Sequence, residues 1–166
     1  MNHPPFVISR HLKAPRPLVW DVYTQPDHLQ QWFGPKGVTM SHSVMNFSAG
    51  GTYHYCQALD GGGSLWGLWR FREILAPEKI VLLQHFSDAQ GGVTRNPWNA
   101  GWPLQTLSTT TFTEQDGGTL LTIQWEPCDA SDPEKDTFLA GHASMNPGWS
   151  SVLDRLEGYL PLLLPT

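Results

Sequence analysis

The chain has 166 residues, with 10 Lys plus Arg against 15 Asp plus Glu and a formal net charge of -5. Charged residues make up 15%, well under the ~25% of an ordinary soluble domain, whereas aromatic residues reach 11% with 8 Trp. This composition suits one domain with a buried core and excludes a disordered chain; with no run of Lys or Arg, it also excludes nucleic acid as a partner.

Met1-Asn2-His3-Pro4-Pro5 supplies neither a basic segment nor a continuous apolar run, so no targeting signal is read there and a cytoplasmic location is expected. Phe6 to Leu12 reads as a first strand. Pro15 to Tyr23 reads as a short helix, with Pro15 and Pro17 in its first turn, where no intrahelical donor is lost. A second short helix, Asp27 to Trp32, starts after Pro26 and stops at the breaker cluster Phe33-Gly34-Pro35.

From Val38 to Pro127 the apolar period switches to two and turn signals recur roughly every ten residues, the pattern of an antiparallel meander. Six strands fit: Val38–Phe47, Gly51–Gln57, Leu65–Ile74, Ile80–Phe86, Thr106–Thr113 and Thr119–Trp125. The connection from Ser87 to Pro103 is about 17 residues long, beyond the ~12–15 at which an unstructured loop is usually functional or disordered. Alternation puts Leu121, Ile123 and Trp125 on one face of the last strand, and Gly67, Trp69, Phe71 and Glu73 together on another. Tyr53 and Tyr55 oppose Thr52, His54 and Cys56.

The cover for the apolar faces is the C-terminal segment. Ser131-Asp132-Pro133-Glu134 is a capping-box signature, and Phe138, His142, Met145, Trp149, Val152, Leu156 and Tyr159 form one helical stripe. Continuous from Pro133 to Leu160, the helix would be about 42 Å long. Asn146-Pro147-Gly148 predicts a kink, or a restart with Asn146 as a new cap, because an interior Pro loses one hydrogen bond. The apolar run Leu160–Leu164, broken by Pro161, is far short of the ~20 residues of a membrane span, so no membrane insertion is expected. No repeat or linker divides the chain, and residues 1–166 are expected to form a single domain.

Most catalytic chemistries find no motif. There is no G-x-S-x-G elbow, and the 7 His are scattered without metal-ligand spacing. Gly50-Gly51 and Gly61-Gly62-Gly63 read as hairpin turns and not as phosphate cradles. No cofactor and no metal are expected. Cys56 and Cys128 lack CxxC spacing and read as free thiols. Glu73 shares its face with Trp69 and Phe71, where a carboxyl would have a raised pKa and could act as an acid or hold a ligand's polar end; the plainer reading is a strand-end ion pair with an Arg. Trp98 and Trp102, in a Pro/Gly/Asn-rich loop, suit either a lid or a seal on the sheet edge.

Local wording adds a resemblance. The segments Ala14-Pro15 with Val19-Trp20, Thr24-x-Pro26-x-His28-Leu29-x-x-Trp32-x-Gly34-Pro35, Gly67-x-Trp69-x-Phe71-Arg72-Glu73-Ile74-x-x-Pro77-Glu78, Phe86-Ser87-Asp88, Trp102-Pro103-Leu104 and Ser144-Met145-x-x-Gly148-Trp149 stand in the order of the elements above. Together they resemble the START-like (helix-grip, SRPBCC) superfamily, and within it the homologues of the activator of the heat-shock chaperone ATPase. The resemblance covers about Val7 to Leu160. It implies an α+β helix-grip fold: a curved antiparallel sheet of about seven strands wrapped around a long C-terminal helix, with two short helices after the first strand. It also implies a cavity between sheet and helix. Asn46 and Ser48 stand where the family commonly carries an acidic residue and an Arg, and Pro147 interrupts the helix.

Members of the superfamily include lipid and polyketide binders, cyclases, hormone receptors and stress proteins, and fold alone does not choose among them. The reading preferred here is a binder of an apolar or aromatic small molecule, in a stress or metabolic role. Its expected site residues are Tyr53, Tyr55, Trp69, Phe71, Glu73, His85, Trp98, Trp102, Trp125, Met145 and Trp149. One alternative is a cyclase- or hydratase-type enzyme using Glu73 or His85 as acid or base; another is a chaperone-associated interaction domain. Low surface charge and spare aromatics are compatible with a homodimer, without fixing an interface.

Overall fold

The computed structural model describes residues 2–34 and 37–165; Pro35 of the predicted breaker cluster lies outside them. Strand β1 (Phe6–Leu12) leads into helices α1 (Arg16–Thr24) and α2 (Pro26–Trp32). Gln25, in extended conformation, ends the first helix and caps the second, and Pro17 and Pro26 occupy first turns, where their missing N–H groups are not needed. The strands β2 (Thr39–Met45), β3 (Thr52–Ala58), β4 (Ser64–Leu75), β5 (Lys79–Ser87), β6 (Val93–Thr94), β7 (Thr106–Gln115) and β8 (Gly118–Pro127) follow, and α3 (Asp132–Tyr159) closes the fold.

All pairings are antiparallel, in the order β1-β8-β7-β5-β4-β3-β2. Strand β6 was not predicted. It pairs only at Phe86 with Thr94 and Ser87 with Val93, too short to show a period, and it ties the long connection to the end of β5. Among the described residues the sheet therefore has eight strands.

In-register partners share a face. Leu12, Phe112, Leu121, Ile123, Ile80, Leu82, Phe71 and Tyr53 thus meet on the concave side, where α1, α2 and the last turns of α3 cover them. Trp20 and Trp32 belong to this core, the Trp32 indole donating to the Val22 carbonyl at 2.9 Å. Burying each such side chain contributes roughly 1.5–3 kcal/mol. Burial also pushes the Tyr23 phenol up to about 12.

The capping box forms as predicted. Ser131 Oγ accepts from the Glu134 N–H, and the Glu134 carboxylate accepts from the Ser131 N–H at 3.0 Å. The expected restart at Asn146 does not occur: α3 runs unbroken through Pro147. Asn146 and Pro147 lie on the exposed side, where water can satisfy the carbonyl that Pro leaves unpaired. Cys56 and Cys128 are both free. Among the described residues no helix is long and apolar enough to cross a membrane.

Candidate functional site

Over the middle of α3, from Met145 to Val152, the helix and sheet diverge, and a cavity of about 310 Å³ opens between them. Its floor is Tyr55 and Gln57 of β3, Gly67 of β4, and Gln84 and Phe86 of β5. Trp125 closes one side, and Met145, Gly148, Trp149 and Val152 of α3 form the roof. Phe33 and Gly34 border it at the end of α2, and Asn96, Trp98 and Trp102 come from the long connection.

Glycines make this packing possible by close approach. A Cβ at Gly67 would collide with the Tyr55 ring, so the ring can lie flat on the β4 backbone. A Cβ at Gly141 would stand 2.7 Å from the Trp102 ring, so Trp102 can rest on the helix. From there Trp102 contacts Phe138 at 5.1 Å and Trp125 at 6.4 Å between ring centroids, and Trp125 contacts Trp149 at 6.4 Å.

The connection over the cavity is pinned at several points. Asp88 Oδ1 accepts from the backbone N–H groups of Gln90 and Gly92, and the His54 ring bonds the Asp88 carbonyl at 2.9 Å. Further along, Arg95 donates to Glu134 at 2.6 Å. That carboxylate is also part of the capping box, and these bonds hold it well below the usual range, at about 2. Between the pins Trp98 borders the cavity while remaining 65% exposed.

Of the residues expected from the sequence, Tyr55, Trp98, Trp102, Trp125, Met145 and Trp149 come together around this cavity. Tyr53, Trp69 and Phe71 share the concave face but belong to the packed core beside it. Glu73 is not with them. A bulge between Phe71 and Glu73 breaks the alternation and turns Glu73 outward, where its carboxylate pairs with Lys79 at 3.0 Å. The strand-end ion pair is therefore present, with Lys in place of Arg.

His85 borders the cavity between Gln84 and Phe86, but the pleat sets its side chain on the face opposite Phe86, beside its partner Leu68. Burial lowers its pKa, Arg70 adds to the effect, and the Leu104 backbone opposes it. Among the described residues neither ring nitrogen has a hydrogen-bond partner at full geometry. Trp66 is likewise turned outward, stacked on His54 at 5.1 Å and beside His42 at 5.3 Å.

Sequence reasoning missed Phe33, Gln57, Gln84, Phe86, Asn96 and Val152 on the cavity wall. Gln57 and Gln84 carried a usable signal: each is a polar residue at the inward parity of an otherwise apolar strand.

A curved antiparallel sheet closed around one long helix, with two short helices after the first strand and a cavity at the divergent end, defines the helix-grip, START-like class. Within that class the chain belongs to the family described as Activator of Hsp90 ATPase homolog 1-like protein, which it matches over residues 13–161. Among solved structures it is similar to protein Ms6760 from Mycobacterium smegmatis, with 23% identity, TM-score 0.78, and coverage of 99% of this chain and 93% of that one. A protein from Rhodobacter sphaeroides gives 19% identity, TM-score 0.78, and coverage of 99% and 97%. The AHSA1 protein from Silicibacter pomeroyi gives 15% identity, TM-score 0.73, and coverage of 96% and 99%. No curated protein matches the chain.

Proposed function

We propose that this protein binds an apolar or aromatic small molecule between the sheet and α3. The observation that carries the reading is the cavity itself: about 310 Å³, walled by Trp102, Trp125, Trp149, Phe86 and Met145, with few polar groups. Ligand sites typically start at ~300 Å³ and combine such apolar walls with a small number of placed polar groups. Trp98, bordering the cavity from an exposed loop, has the place of a lid. The test is titration of tryptophan fluorescence with flat aromatic and long-chain apolar compounds, alongside thermal melting. Quenching together with a raised melting temperature is expected, and no response to any compound of either type would remove the reading.

A catalytic reading has less to stand on. Glu73 pairs with Lys79 away from the cavity, and the pleat turns the His85 side chain to the opposite face. A general acid or base needs hydrogen-bonding reach of its substrate. The single-domain organisation, cytoplasmic location and metabolic or stress setting remain part of the same proposal.

A further inference from the structure

The two edges of the sheet are guarded differently. At one edge Arg10 of β1 donates to Asp154 at 2.9 Å and to Glu157 at 2.7 Å, which ties that strand to α3 with charged groups. At the other edge β2 pairs only with β3, and among the described residues no backbone hydrogen bond is made on its outer side. None of the residues Thr39–Met45 is Lys, Arg, Asp or Glu, and Val44 is 59% exposed. An unpaired edge without charge is a template for another strand, and proteins commonly block such edges with Lys or Pro.

The backbone fixes which groups that edge presents. The Asn46 N–H donates to the Thr52 carbonyl at 2.8 Å, so Asn46, and by alternation Val44 and His42, direct their backbone groups at β3. Ser43 and Met45 direct theirs outward. A bulge between Met40 and His42 ends the regular run, which leaves residues 42–46 with Val44 at the centre.

We propose that β2 is the interface of a homodimer, in which two copies join their sheets edge to edge across a two-fold axis beside Val44. Ser43 of each copy exchanges backbone hydrogen bonds with Met45 of the other. The two Val44 side chains, on the convex face with His54, meet at the close spacing of ~4.5 Å between Cα atoms, and His42 faces Asn46 of the second copy. Self-pairing covers the exposed valine with its own copy. Each chain carries a net charge of -5, so two copies approach most easily where acidic side chains are absent, as along β2. The guarded β1 edge stops further addition, so the assembly closes at two copies. A strand pair of this length buries less than the ~1,200 Å² of stable complexes, and the dimer is accordingly weak and concentration-dependent. The inference is independent of what the cavity binds.

Sedimentation velocity from about 5 to about 500 μM tests it. The wild type is expected to move from monomer toward dimer across that range. Val44→Lys sets two like charges face to face and should weaken self-association by more than about 10-fold. Leu162→Lys, which changes a side chain 78% exposed at the C-terminal end, should dimerise as the wild type does. A wild type that stays monomeric overturns the proposal, as does a Val44→Lys protein that dimerises normally or a dimer lost in Leu162→Lys instead. Disulfide trapping in a Cys128→Ser background reads the register. Val44→Cys is expected to cross-link on mild oxidation, because opposed Cβ atoms at this spacing suit a disulfide, while Thr39→Cys stays monomeric. No cross-link at Val44→Cys, or an equal one at Thr39→Cys, overturns the two-fold pairing, and this result decides should Val44→Lys fail to fold.

Discussion

The two ends of this domain use the same residue type for different purposes. At the packed end Trp20, Tyr23, Trp32 and Phe112 meet at centroid distances of 5.1 to 5.5 Å, and the Trp32 N–H has a backbone acceptor. At the divergent end Trp125 stands 6.4 Å from both Trp102 and Trp149, and Trp98 is largely in solvent. The difference lies in what stands behind the rings. Helices α1 and α2 press on the first group, whereas one helix face and a pinned loop cover the second. Tryptophan content therefore says how much apolar surface exists, and the covering elements decide whether it becomes core or wall.

The comparison predicts its largest contrast between two tryptophans. Trp32→Ala should cost about 3–5 kcal/mol in denaturant unfolding, as expected for a fully buried large side chain. Trp98→Ala should stay within about 0.5 kcal/mol while weakening aromatic ligands. Equal losses of stability would break the distinction between the two ends.

Two glycines of α3 sharpen it further. A Cβ at Gly148 meets nothing within 4 Å, so Gly148→Ala should raise stability by up to ~1 kcal/mol through helix propensity. At Gly141 the same Cβ would push on Trp102, so Gly141→Ala should lose most of that ~1 kcal/mol and change the Trp102 emission. Melting curves of the two variants, with fluorescence spectra, provide the check.

The pin between loop and helix predicts an acid-sensitive step. The Ser131 N–H and the Arg95 guanidinium depress the folded-state pKa of Glu134 from the ordinary 4.5 to about 2. The folded state thus binds this proton less readily than the unfolded chain. The stability it contributes is complete above about pH 4.5 and is lost as pH falls toward 2. Melting temperature should fall across that window, and the fall should be shallower in Glu134→Gln. The smallest effect is expected from Glu73→Gln, within ~0.5 kcal/mol for a half-exposed pair and without change in ligand affinity; a loss of binding would return Glu73 to the site.

Much of this was legible because the hydrophobic period changes with the element. Period two across the meander, the Ser131–Glu134 box and the stripe from Phe138 to Tyr159 give the helix-grip order directly, and the parity of Tyr53, Tyr55, Trp69 and Phe71 gives the concave face. Parity alone does not say where along that face the helix diverges. Tyr55 therefore became wall while Tyr53, two residues away, became core. The position of Glu73 depended on a bulge that leaves no compositional mark, and β6 was too short to register. Pro147 misled because the cost of an interior proline depends on whether the freed carbonyl faces water, which the local sequence does not state.

The pairing of β1 with β8 carries a consequence for how the chain reaches this state. Ser9 and Thr122 hydrogen-bond across a separation of 113 residues, so the first strand made has no sheet partner until the last strand exists. During synthesis β1 must wait with its apolar face unpaired, and closure of the sheet carries a large loop entropy before any contact rewards it. Pairing of β1 with β8 should accordingly be a late and slow step of folding.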